Sequence, residues 1–104
     1  MIRIVNMRNH TYRLYEVLIR VDRTTTVGNP FRMYTEEQRD EVCDKYESYF
    51  YRRLQKDKKF RDYVEYIVDT ARKHDVALGC WCYPKRCHAE TIKRYVEERL
   101  RGDH

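Results

Sequence analysis

The run Val76-Ala77-Leu78-Gly79-Cys80-Trp81-Cys82-Tyr83-Pro84-Lys85-Arg86-Cys87-His88 carries the reading of the fold. Val76 to Tyr83 is apolar on both faces, as a buried strand is, and Pro84 stops it. Cys87 or His88 then opens a helix whose inner face is Ile92, Tyr95, Val96 and Leu100. The turn between strand and helix packs three of the four cysteines and the only tryptophan into nine residues. It reads as an α/β unit with a site at its turn.

Upstream, Phe60, Tyr63, Val64, Ile67, Val68 and Ala71 recur at helical spacing, and this helix ends near His74-Asp75. Lys56-Asp57-Lys58-Lys59 is a polar break before it. Val42, Tyr46, Tyr49, Phe50 and Leu54 mark an earlier helix running to about residue 55, opened by a capping box over Thr35 to Gln38. Asp22 to Tyr34 is a loop containing Thr24-Thr25-Thr26 and Gly28-Asn29-Pro30-Phe31. Tyr15 to Val21 reads as a strand, as do residues 2–7, with a turn at Asn9-His10-Thr11 between them. Their link is about eight residues, too short for a helical crossover, so a hairpin or antiparallel pair is expected. The order is β-β-α-α-β-α in one α/β domain over residues 1–104. The expected architecture is a small three- or four-stranded mixed sheet with helices packed on it.

Composition narrows the class. With 41% hydrophobic and 38% charged residues the chain is globular with an ionic surface. It has no apolar run near the roughly 18 residues of a membrane span, and Met1-Ile2-Arg3-Ile4-Val5 enters a strand pattern without a leader. A cytoplasmic protein with reduced thiols is the expectation. One Ser, two Gln and three Asn beside many Arg, Lys, Glu and Tyr are what a thermophilic source would give. The net charge of +5 favours an anionic small molecule or nucleic acid, although 17 acids interleave with the bases.

Three chemistries compete for the cysteine turn. Cys80, Cys82, Cys87 and His88 are a zinc-ligand set by type, but the usual two-residue cysteine knuckle is absent. Alternatively, the helix N-terminus at Cys87-His88-Ala89-Glu90 binds an anion, with Lys85 and Arg86 closing over a phosphate. A catalytic extension makes Cys87 a nucleophile with His88 as acid or base. Against all three stands the plain reading of Cys80 and Cys82 as small core residues.

In the other patch, Gly28 permits a turn or close approach, and Pro30 holds Asn29 extended. Asn29 presents an amide, and Phe31 is either a stacking platform or a core plug. Arg23 is the charge best placed to serve a ligand there. His10, His74 and His104 have no partner spacing.

The two patches, with the N-terminal strand, Tyr15 to Arg20, the helix bearing Arg39, Val42 and Tyr46, and Leu78 to Cys82 with Pro84 and Cys87-His88, together resemble a known family. It is the one called domain of unknown function 4326, found in phages and bacteria, and the resemblance runs from about Ile4 to Val96. Val27 stands where that family tends to have Trp, and Ala89-Glu90 replaces its common Gly-Asp. The resemblance strengthens the reading of a site more than that of a function, and it implies a viral origin rather than a named activity.

The reading as a whole is a small α/β protein that binds a phosphorylated or nucleotide-like ligand. Arg23, Gly28, Asn29, Pro30, Phe31, Trp81, Lys85, Arg86 and Glu90 would hold it. The rivals are a basic nucleic-acid-binding or host-interaction module using Arg52, Arg53, Lys56, Lys58, Lys59, Lys93 and Arg94, or a zinc-stapled structural protein.

Overall fold

A computed structural model describes residues 1–9 and 13–102. The element order is β1 (Ile2–Asn6), β2 (Glu16–Arg20), a 3-10 turn (Glu36–Gln38), α1 (Arg39–Lys56), α2 (Lys58–Lys73), β3 (Asp75–Cys80) and α3 (Ala89–Gly102). The turn expected at Asn9-His10-Thr11 falls partly outside the described residues, as does His104.

The sheet order is β1-β3-β2, and both pairings are parallel. The expected antiparallel pairing of β1 with β2 does not occur, because β3 lies between them. A parallel return usually needs a helix, but these strands are only five residues long. Returning along one strand and crossing two strand spacings takes about 20 Å, and nine extended residues reach about 30 Å. The link over 7–15 is therefore long enough without a helix.

Register divides the strand residues cleanly. Ile2, Ile4, Val76, Leu78, Val17 and Ile19 share the face against which the helices pack. There they join Phe50, Phe60, Val64, Ile67, Val68, Ile92 and Val96 in one core. The opposite face carries small residues on the central strand. Over Ala77, Arg3 reaches from β1 to Glu16 on β2 with two hydrogen bonds of 2.7 Å. Over Gly79 lies the Met7 side chain, which a Cβ there would meet at 2.7 Å. The apolar character of β3 on both faces thus has two causes, helices on one side and a bridging ion pair on the other.

β3 ends at Cys80 rather than at Tyr83. Its neighbours stop there, the last ladder bonds being Met7 N–H to Cys80 O (2.8 Å) and Val21 N–H to Gly79 O (3.0 Å). Beyond them Trp81 and Tyr83 have no strand to pair with, and their carbonyls accept from the Asn6 side chain instead. The break between α1 and α2 is a single residue, Asp57, whose carboxylate accepts from Phe60 N–H at 3.2 Å and caps α2. At the start of α1, Gln38 reaches back to the Tyr34 and Thr35 amides as the capping box requires. Among the described residues no helix is long and apolar enough to cross a membrane.

Candidate functional site

The loop after β2 takes its shape from side chains belonging to three other parts of the chain. Tyr46 of α1 donates its hydroxyl to the Val27 carbonyl at 2.6 Å. His88, one residue ahead of α3, holds the Val21 carbonyl through Nε2 at 2.5 Å. Trp81, just past β3, donates its indole N–H to Asp22 at 2.9 Å. Asp22 also accepts from Arg20 and Thr24, and Arg23 donates to the Asn29 and Phe31 carbonyls.

Glycine is required at position 28 because a Cβ would lie 2.6 Å from both Asp22 O and Arg23 Cα. The close approach is to the chain's own backbone, not to a ligand. Asn29 Oδ1 accepts from Phe31 N–H at 2.9 Å, a local turn that fixes its amide. The Phe31 ring meets Tyr49 edge-on at 5.7 Å.

Between this loop and the turn after β3 lies a cavity of about 430 Å³. It opens at the carboxyl ends of β2 and β3, the end at which α/β sheets place ligands. Asn29 and His88, from distant parts of the sequence, both line it, together with Arg23, Phe31, Trp81, Arg86, Cys82 and Cys87. Met33 and Val42 extend the apolar wall, and Arg39 adds a guanidinium.

Four residues expected at the site are not on this wall: Gly28, Pro30, Lys85 and Glu90. Lys85 pairs with Glu36 at 3.1 Å. Glu90 accepts from Cys87 N–H at 3.3 Å and faces a separate, wider groove of about 1030 Å³ beside β1. The α3 amides expected to receive an anion are already used within the fold. Glu90 N–H bonds Cys87 O, Thr91 N–H bonds His88 O, and Ala89 N–H points at the Cys87 sulfur. Arg86 reaches the cavity but forms ion pairs with Asp40 (3.0 Å) and Asp44 (2.9 Å).

The family model described as "Domain of unknown function (DUF4326)" matches residues 5–98, which include both halves of the cavity. The chain belongs to this family. No curated protein and no solved structure gives a significant match.

In this DUF4326 chain the zinc-ligand set does not assemble. Among the described residues no group of three or more Cys, His, Asp or Glu side chains is arranged to hold a metal ion. His88 spends its Nε2 on the Val21 carbonyl. Burial also lowers the His88 pKa, leaving the ring neutral.

The thiols differ from what Cys87-His88 chemistry would need. Cys87 donates toward Cys80 and Cys82, and these contacts together with burial raise its own pKa. Cys82 moves the other way: hydrogen bonding from Cys87 and from Arg39 outweighs its partial burial and lowers its pKa. Hydrogen bonding from Cys87 lowers the Cys80 pKa as well, and of these two thiols Cys82 is the more exposed.

Sequence reasoning named three residues without giving them a role at the DUF4326 site. Arg39 bonds Glu36 twice at 2.9 Å, the Arg86 carbonyl at 2.8 Å and Cys82. Asp22 is 5% exposed and joins the two loops through Trp81. Tyr46 is fully buried with its hydroxyl spent on the loop. An arginine in a helix's first turn, where the dipole disfavours cations, was the available signal for Arg39. On the basic surface, Arg53, Lys58, Lys93 and Arg94 are paired with Asp57, Asp62, Glu97 and Glu47.

Proposed function

We propose that this protein is a binding domain for a small phosphorylated or nucleotide-like ligand, held in the cavity between the loop after β2 and the turn after β3. The observation that supports this reading is a pair of buried, half-used polar side chains on the cavity wall. Asn29, 8% exposed, spends Oδ1 on Phe31, and its amide nitrogen has no partner among the described residues. His88, 7% exposed, spends Nε2 on the Val21 carbonyl, which leaves Nδ1 as an acceptor. Buried polar groups are nearly always satisfied, so two idle ones facing the same space call for a guest with both a donor and an acceptor.

Base edges and sugar hydroxyls offer that pairing. Arg23 supplies positive charge for a phosphate beside Arg39, whose guanidinium is shared with Glu36, and Phe31 and Trp81 supply ring surface. The volume lies within the 300–1,000 Å³ typical of small-molecule sites.

The reading is tested by thermal unfolding in the presence of AMP, ADP and inorganic phosphate. At least one mononucleotide should raise Tm, and at a hundred times Kd the gain is about 2.7 kcal/mol. Asn29→Ala and Arg39→Ala should each remove the gain. No shift with any of the three at millimolar concentration would end the proposal. Salt-sensitive binding of oligonucleotides in their place would transfer it to the basic surface.

A further inference from the structure

The hydrogen-bonding capacity left on the cavity wall is lopsided. Arg23 donates Nε to the Asn29 carbonyl at 3.1 Å and Nη2 to the Phe31 carbonyl at 3.2 Å, which leaves further guanidinium N–H groups over. Asn29 has its amide N–H groups over as well, because Oδ1 is what holds Phe31. The acceptors are nearly used up. Asp22 takes the Thr24 hydroxyl (2.6 Å) and amide (3.4 Å) on Oδ1, and Arg20 (2.5 Å) and the Trp81 indole N–H (2.9 Å) on Oδ2. His88 Nδ1 remains. Its Nε2 lies 2.5 Å from the Val21 carbonyl, which can only accept, so Nε2 carries the hydrogen. The ring is 7% exposed and stands edge-on to Tyr46 at 5.0 Å, surroundings in which a second proton would be a buried charge. Nδ1 therefore presents a lone pair.

We infer that the cavity recognises its ligand by the nucleobase, Asn29 Nδ2 donating to, and His88 Nδ1 accepting from, neighbouring atoms of one amide or amidine edge. This rests on the reading of the cavity as a nucleotide site and says which part of the nucleotide is read. A base edge of this kind puts one N–H donor beside a carbonyl or ring-nitrogen acceptor, the complement of what Asn29 and His88 have left. It also brings a flat apolar body to a wall that includes Phe31, Met33, Val42 and Trp81.

The other parts of a nucleotide fit these two side chains less well. Each sugar hydroxyl carries a hydrogen that needs its own acceptor, and with Asp22 filled a polyol would leave hydroxyls unpaired against apolar surface. A phosphate only accepts once it is fully ionised, so it has nothing to give His88 Nδ1 and would set its charge against a lone pair. Its place is at a cation. Arg39 and Arg86 already have carboxylate partners, whereas Arg23 is bonded to backbone carbonyls. Arg23 thus serves the phosphate, and the buried pair serves the base.

The test is titration calorimetry of the wild-type protein with AMP, CMP, GMP, UMP and ribose 5-phosphate. The tightest mononucleotide is then compared with its counterpart alkylated on the edge, dimethylated at the amino group or methylated at the ring N–H. Alkylation should weaken binding about tenfold or more, the cost of leaving a buried polar group unpaired, and ribose 5-phosphate should bind at least as poorly. Asn29→Asp keeps the oxygen that holds Phe31 and turns the donor into an acceptor, so it should lose the mononucleotide by a similar factor. An alkylated nucleotide as tight as its parent would overturn the inference, and so would ribose 5-phosphate as tight as the nucleotide. Either result leaves a phosphorylated ligand in the cavity, whereas no heat with any of the five ends both readings. The wild-type series decides the matter even if Asn29→Asp fails to fold.

Discussion

Gly28 shows how much of a loop can depend on one missing carbon. Its neighbours at 2.6 Å are backbone atoms of Asp22 and Arg23, which cannot swing aside as a flexible side-chain end would. Gly28→Ala is expected to destabilise the protein by about 1–3 kcal/mol, the usual cost of an overpacked site. Urea unfolding should show a lower midpoint with an unchanged slope. A glycine before Asn-Pro was visible in the sequence as a special backbone position, but which atoms approach it was not. Spacing along the chain says that a turn is tight, and only the fold says against what. Glu90 teaches the same lesson. As a first-turn acid it was legible as a helix-start residue, and capping the Cys87 amide is what that position rewards.

The helices were legible to within a residue or two because their apolar spacing is regular and their caps are chemically distinct. α2 has the clearest apolar stripe, and Asp57 in front of it ends α1 and starts α2 in a single position. Asp57→Ala removes the cap on Phe60 N–H and the partner of Arg53, and should cost about 1 kcal/mol. Circular dichroism melting should register this as a lowered Tm, while Asp57→Asn or Asp57→Ser, which keep a capping oxygen, should recover most of it. Strand pairing was not legible. Alternation identifies strands and their faces, but the partner of each strand is set by which segment reaches it. A nine-residue link fits both a hairpin and a parallel return when the strands are five residues long. Only the apolar character of β3 on both faces, which suits a central parallel strand, spoke for the observed order.

Across the whole molecule, the two motif patches converge because side chains tie the loop after β2 to the turn after β3 and the start of α3. Asp22 is the electrostatic centre of that junction. Burial alone would raise its pKa, but hydrogen bonds from Arg20, Thr24 and Trp81 outweigh burial and hold it below the ordinary aspartate value. The folded carboxylate therefore releases its proton more readily than the unfolded one. Its contribution is complete above the unfolded pKa of about 3.9 and disappears as the pH falls through the lower folded value. Chemical unfolding between pH 5 and pH 2 should show a steep loss of stability in the wild type. Asp22→Asn should be about 1–3 kcal/mol less stable at pH 7, the scale of hydrogen bonds to a charged group, and flatter over that acid range. Equal acid slopes in the two proteins would remove Asp22 from this role.

The central place of β3 governs how the protein is made. Each of the two strand pairings includes it, so residues 2–20 emerge from the ribosome with nothing to zip onto. The sheet can close only when Cys80 has been synthesised, and until then the helices are the sole local structure available. The nascent chain must keep Ile2, Ile4, Val17 and Ile19 from other encounters for most of its length, a demand that an antiparallel opening hairpin would have spared it.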